Sequence, residues 1–170
     1  MNEKVLIKRK AEVELKIESL AYGGMGIAKK ENFVIFVKNA IPGQTVIARI
    51  YKKKKGYAEA RALKILVESP NVVKPKCNHF YICSKIQNLS YKEQLKEKSN
   101  QVIDAFQRLG GFKDFKLNNV VEGNPIFNYR NKMEFTFSPR RWVLDSEPEG
   151  VSKSFALGLH IPGRYDKILD

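Results

Sequence analysis

The sequence predicts a small β-barrel followed by an α+β domain with a mostly antiparallel sheet. Three observations predict it. Short runs of alternating apolar and polar residues recur through the first 66 positions. One segment with helical spacing follows, at residues 90–109. Alternating, strand-like runs then return at residues 132–138 and 155–160.

In the first part, Val13, Leu15 and Ile17 alternate with Glu12, Glu14 and Lys16, the period of a half-buried strand. Gly23-Gly24-Met25-Gly26 supplies a flexible backbone for a tight loop. Residues 32–37 are a short aromatic and β-branched run, closed by the Pro42-Gly43 turn. Residues 45–51 read as another strand and residues 52–56 as a turn. Residues 57–65 return, with Ala58, Ala60 and Ala62 alternating with Glu59 and Arg61. Four or five short strands in about 60 residues fit a barrel of the OB kind, closed so that few edges stay exposed.

Ser69-Pro70 and Lys74-Pro75 mark a boundary, which predicts domains at residues 1–66 and 67–170. In the second, Ser90-Tyr91-Lys92-Glu93 fits a capping box at a helix start. Leu95, Val102, Phe106 and Leu109 then repeat at helical spacing, and Gly110-Gly111 ends the run. Val120-Val121, residues 132–138 and residues 155–160 read as strands, with a turn-rich loop at residues 145–150. One helix followed by antiparallel strands is α+β.

The chain has 170 residues, room for two small domains, and 43% of them are hydrophobic, too many for a disordered polycation. Its 31 Lys and Arg against 18 Asp and Glu give a formal net charge of +13. Residues 1–66 hold 15 basic and 6 acidic side chains, so the first domain carries a net +9. An excess of that size attracts a polyanion, and nucleic acid is the default candidate. No run approaches the roughly 18 apolar residues of a membrane span. The first ten residues lack the apolar core of a secretory signal. A soluble, cytoplasmic protein without a membrane partner is the expectation.

The run Lys52-Lys53-Lys54-Lys55, flanked by Tyr51 and Tyr57, combines phosphate contacts with aromatic faces that stack on unpaired bases. It reads equally as a solvated hairpin tip, until the domain's net charge favours RNA. Cys77 and Cys83 lie six positions apart with His79 between them. Two thiols and a histidine do not make a four-ligand metal site, so spacing alone reads as two ordinary cysteines. Arg130, Lys132, Arg140, Arg141 and Arg164 form a second basic cluster. Arg130 and Lys132 share a strand face by the period of two, either to straddle phosphates or to guard an exposed edge. Phosphate-cradling loops, zinc-protease motifs and nucleophilic triads are missing from the sequence, so no catalytic residue is predicted.

The stretch Leu20-Ala21-Tyr22-Gly23-Gly24-Met25-Gly26-Ile27-Ala28, with Val34-Ile35-Phe36-Val37 and Ala40-Ile41-Pro42-Gly43, resembles a TRAM domain, an OB-like RNA-binding barrel. Cys77-Asn78-His79-Phe80, then Gln87-Asn88-Leu89-Ser90-Tyr91, follow it in the order of a second family region. With Tyr129-Arg130-Asn131-Lys132-Met133-Glu134-Phe135, Leu157-Gly158-Leu159-His160 and Pro162-Gly163-Arg164-Tyr165-Asp166, they resemble the central domain of RNA (uracil-5-)-methyltransferases. These enzymes use S-adenosylmethionine to methylate uridine C5 in ribosomal or transfer RNA. The resemblance implies that Lys52, Lys53, Lys54 and Lys55, with Lys29, Lys30 and Lys38, contact phosphates. It implies stacking by Tyr51 and Tyr57, and presentation of the target loop by Arg130 and Lys132.

Two departures follow. Many members carry C-x5-C-G-G-C and a later fourth cysteine, the ligands of a [4Fe-4S] cluster. Here the stretch is two residues shorter, with Ser84 or Lys85 where a third thiolate is expected, and Cys83 matches either the second or the third position. Cys77 and Cys83 thus resemble remnants of a cluster motif, and no cofactor is expected in this chain. The family's catalytic methyltransferase domain, which binds S-adenosylmethionine, lies C-terminal to the region matched. The expectation is therefore an RNA-binding N-terminal region whose second domain is incomplete at its C-terminus. The alternatives are a stand-alone RNA-binding TRAM protein without activity of its own and, more weakly, a protein-interaction module.

Overall fold

The computed structural model of the chain describes residues 7–144, 147–161 and 168–169, apart from the side chains of Ile82 and Cys83. In chain order the strands of the first part are β1 (Glu12–Lys16), β2 (Ser19–Leu20), β3 (Gly26–Lys30), β4 (Phe33–Lys38), β5 (Thr45–Lys53) and β6 (Tyr57–Val67). Then come the short helix α1 (Phe80–Cys83), helix α2 (Tyr91–Asp104) and a π-helical segment, Ala105–Leu109. Strands β7 (Thr136–Ser138), β8 (Ala156–His160) and β9 (Ile168–Leu169) complete the set. Two compact units emerge, one of residues 1–76 and 85–120, the other of residues 77–84 and 121–170.

The first unit is a six-stranded mixed sheet in the order β1-β5-β6-β4-β3-β2. All its pairs are antiparallel except β4 with β6. Its two edge strands, β1 and β2, are successive stretches of one segment, separated only by Ile17 and Glu18. Glu18 donates its backbone N–H to Ile27 of β3 at 2.8 Å, so the segment leaves β5 and joins β3. The sheet is therefore barrel-like, without a ladder between β1 and β2 to close it among the described residues.

Alternation decides what lies inside. Val13 and Leu15 of β1, Ile35 and Val37 of β4, and Val46, Ala48 and Ile50 of β5 point into one core with Ala58 and Ala60 of β6. The alanines are fully buried, which leaves no volume for a longer side chain where these strands meet. Gly26 is held to the same limit, because a Cβ there would lie 2.8 Å from Ile17 Cγ2 and 3.0 Å from the Ala40 carbonyl oxygen. The strands predicted at residues 11–17, 32–37, 45–51 and 57–65 are β1, β4, β5 and β6.

Helix α2 belongs to this unit. Leu89, just before it, is fully buried with Leu20 and Ile41. Ser90 occupies the N-cap position, yet its side chain makes no capping hydrogen bond. The expected capping box is absent for a physical reason. Its reciprocal bond needs the Ser90 backbone N–H, and that group donates to the Asn71 carbonyl at 2.9 Å. Glu93 pairs with Lys96 instead, at 3.2 Å. The apolar stripe also differs from a core-facing one. Val102, Phe106 and Leu109 are exposed, and the residue that α2 buries is Glu97.

The second unit holds the three-stranded antiparallel sheet β7-β8-β9. Leu144, Ala156, Ile168 and Leu169 are buried there. Val120 and Val121 are not in a strand, and the strand predicted over residues 132–138 is reduced to Thr136–Ser138. The β7–β8 ladder runs only from Thr136 opposite Gly158 to Ser138 opposite Ala156, and among the described residues none pairs with residues 130–135. Arg130 and Lys132 consequently do not share a strand face. Both are exposed in irregular backbone, and Lys132 lies 3.4 Å from Glu134. Arg164 lies outside the described residues.

Candidate nucleic-acid interface

The outward positions of β1, β5, β6 and β4 make one continuous surface. Register sets its pattern. Glu12 faces Arg49, Arg49 faces Arg61, and Arg61 faces Lys38, so one row crosses four strands. Three of its four members are cations. Arg49 is paired with Glu12, at 2.6 Å. Among the described residues, neither Lys38 nor Arg61 has a carboxylate within ion-pair distance. Like charges directly opposite each other destabilise a sheet by a few tenths of a kcal/mol up to about 1 kcal/mol per pair.

The next row places Phe36 beside Glu59 and Glu59 beside Lys52. A register shift between Ile50 and Lys52 adds Tyr51 to the same surface. One carboxylate then serves two neighbours. Tyr51 donates its phenol proton to Glu59 at 3.0 Å, and Lys52 donates to the other oxygen at 2.6 Å. Partial burial, reinforced by Glu59, pushes the Tyr51 phenol up to about 12. The hydrogen bond from Lys52 holds the Glu59 carboxyl below its usual range, and the same bond raises Lys52. The Lys38 ammonium sits over the Tyr51 ring, 5.0 Å from its centroid.

A third row carries Lys29, Val34 and Tyr57. Tyr57 stands edge-on to Phe36, ring centroids 5.7 Å apart. Lys38, Arg49, Tyr51, Arg61 and Leu63 line an open groove of about 400 Å³.

The sheet thus brings together Lys29, Lys38, Tyr51, Lys52 and Tyr57 of the residues singled out from sequence. Lys30 ends β3 on the opposite alternation, and Lys53, Lys54 and Lys55 are exposed at the β5–β6 turn. Arg130 and Lys132 belong to the other compact unit. Arg49 and Arg61 were not singled out, although Arg49 lies between buried Ala48 and Ile50 and Arg61 between buried Ala60 and half-buried Ala62. Strand register was the missing information.

Cys77 is half-buried, and the Cys83 side chain lies outside the described residues. Among the described residues no group of three or more His, Cys, Asp or Glu side chains is placed to hold a metal ion. The chain supplies two cysteines where an iron–sulfur cluster takes about four thiolates, so its own donor set does not fit one. No helix among the described residues is long and apolar enough to cross a membrane.

Residues 8–63, which carry the three rows, match the TRAM domain. An uncharacterized RNA methyltransferase of Porphyromonas gingivalis is 37% identical over 164 residues, covering 92% of this chain and 35% of that protein. Over most of its length the chain is similar to part of the RNA methyltransferases, with a TRAM match at its start. A second relative, an uncharacterized RNA methyltransferase of Bacteroides thetaiotaomicron, is 39% identical over 155 residues and covers 88% of this chain and 34% of that protein. The chain spans about a third of the length of these curated relatives. A conserved protein of Methanococcus maripaludis, solved in solution, is 31% identical with a TM-score of 0.34, covering 38% of this chain and 93% of its own.

Proposed function

We propose that this chain is the RNA-gripping region of an S-adenosylmethionine-dependent RNA (uracil-5-)-methyltransferase acting on ribosomal or transfer RNA in the cytoplasm. Residues 1–66 grip the RNA, with Lys29, Lys38, Arg49 and Arg61 toward phosphates and Tyr51 and Tyr57 toward bases. Lys53, Lys54 and Lys55 add attraction from the turn. Residues 67–170, through Arg130 and Lys132, present the target loop to a catalytic methyltransferase domain of the full-length protein, which binds the methyl donor. A target uridine must leave its stack to be reached, so a scaffold that grips unpaired RNA suits the reaction.

The observation that carries this reading is the row Lys38-Arg61-Arg49 on a domain matched as TRAM. Three cations in register cost the free sheet stability, and an RNA phosphate backbone repays that cost. Titrating the 170-residue chain into labelled structured RNA at increasing salt tests it. Log affinity is expected to fall linearly with log salt, by about 0.7 per phosphate for single strands and about 0.9 for duplex. Adding S-adenosylmethionine is expected to give no methylated RNA from this chain. Absence of binding at low salt contradicts the reading, and so does methyl transfer.

A further inference from the structure

We infer that the groove over Arg61 is the phosphate seat of the RNA site and takes one unpaired nucleotide. Its phosphate lies among Lys38, Arg61 and Arg49, and its base lies against Tyr51 and Leu63. The inference rests on the RNA-binding reading above and goes further, by naming the part of the RNA that is read and the side chains that read it.

Charge makes the first argument. Arg61 has a cation in register on each side, and of the three only Arg49, at the outer end, forms an ion pair among the described residues. Lys38 and Arg61, neither with a carboxylate within ion-pair distance among the described residues, open onto the groove. By contrast, the first lysine of the basic turn is already held by Glu59 at 2.6 Å. The next three, exposed as Lys38 and Arg61 are, do not line the groove. The turn therefore contributes general attraction, and the groove contributes a fixed site.

Size and lining make the second. A groove of about 400 Å³ lies at the small end of ligand sites, room for one nucleotide and far too little for a duplex. Its wall alternates cations with Tyr51 and Leu63, the mixture that single strands use, with charge along the backbone and a flat apolar face for the base. Lys38 connects the two functions. In the free protein its ammonium covers the Tyr51 ring. Moving it to a phosphate uncovers that ring for stacking.

The experiment compares Arg61→Gln with a turn variant, Lys54→Gln with Lys55→Gln, both in the 170-residue chain. Each is titrated with a labelled oligouridylate and with a labelled RNA duplex of equal length, over a range of salt. Arg61→Gln is expected to lose about tenfold in oligouridylate affinity, as for loss of a charged hydrogen bond. Its salt slope should fall by about 0.7. It should also melt at a higher temperature than the parent at low salt, because the like-charge contacts are gone. The turn variant should weaken both RNAs alike and keep the preference for the single strand. Lys38→Gln, at the exposed end of β4, provides the same readouts if Arg61→Gln does not fold. Unchanged oligouridylate affinity and salt slope in these groove variants overturn the inference while leaving RNA binding intact, and so does a parent chain that prefers duplex. A parent chain that binds neither RNA at low salt removes the RNA reading itself.

Discussion

Glu97 of helix α2 accepts a hydrogen bond from the Leu20 backbone N–H at 2.6 Å, and the carboxylate is buried with it. Leu20 lies in β2, the edge of the six-stranded sheet, where a backbone donor has no further strand to meet. Gln101, one turn along, donates to the Leu20 carbonyl at 3.2 Å. The helix thus satisfies both backbone groups of one edge residue and covers the edge there.

Glu97→Ala leaves the Leu20 N–H buried without a partner. A loss of about 2 kcal/mol is expected, in line with charged hydrogen bonds. Glu97→Gln keeps an acceptor and should lose less. Urea unfolding of the three proteins measures both, and equal stability of Glu97→Ala and the parent would refute the clamp.

Ser90→Ala should be nearly silent. A working N-cap serine contributes about 1 kcal/mol, but the Ser90 side chain caps nothing here. Thermal unfolding is expected to show a change below about 0.5 kcal/mol. A full capping loss would mean that the hydroxyl reaches the helix in solution.

Ala60→Leu should be severe. Ala60 is fully buried in the core beside Ile50, and overpacking such a site costs about 1–3 kcal/mol or more. Ala62, only partly buried, should tolerate the same change better. Denaturant midpoints of the two variants give the comparison.

Tyr51 predicts an alkaline loss of stability. Its folded value of about 12 exceeds the ordinary 10.0, so the folded state holds the phenol proton more tightly than the unfolded chain. The contribution is fully present below pH 10 and disappears as pH rises toward 12. Tyr51→Phe should lack this component, visible as a shallower stability decline over that window. A tyrosinate absorbance titration of the parent should show a late-titrating component that the variant lacks.

Much of the first unit was legible from alternation. Val13 and Leu15, and Ala58 and Ala60, are buried as period two requires, whereas residues 32–37 read only as an apolar run that does not tell Ile35 and Val37 from their neighbours. The brief β2 and the glycine-led β3 gave no such pattern, and the sheet's strand order, with no closing ladder among the described residues, rests on pairings that no local signal carries. Helix α2 was legible as a helix, but not its docking, because a buried glutamate at Glu97 runs against residue preference. Arg130 and Lys132 showed the limit of period two, since alternation marks a strand only where a partner strand lies beside it. The candidate site was half legible. Lys38, Tyr51 and Tyr57 stood out by type, whereas Arg49 and Arg61 became neighbours only through the register of β5, which shifts three times along β6.

Photocrosslinking of thiouridine-substituted RNA to the 170-residue chain, with the adducts located by mass spectrometry, tests most directly whether RNA lies on the outward face of β4, β6 and β5. Adducts on the peptides carrying Lys38, Tyr51, Tyr57 or Arg61, lost when unlabelled RNA competes, are the predicted result. Adducts confined to other parts of the chain, or none at a salt concentration where binding is saturated, would contradict it.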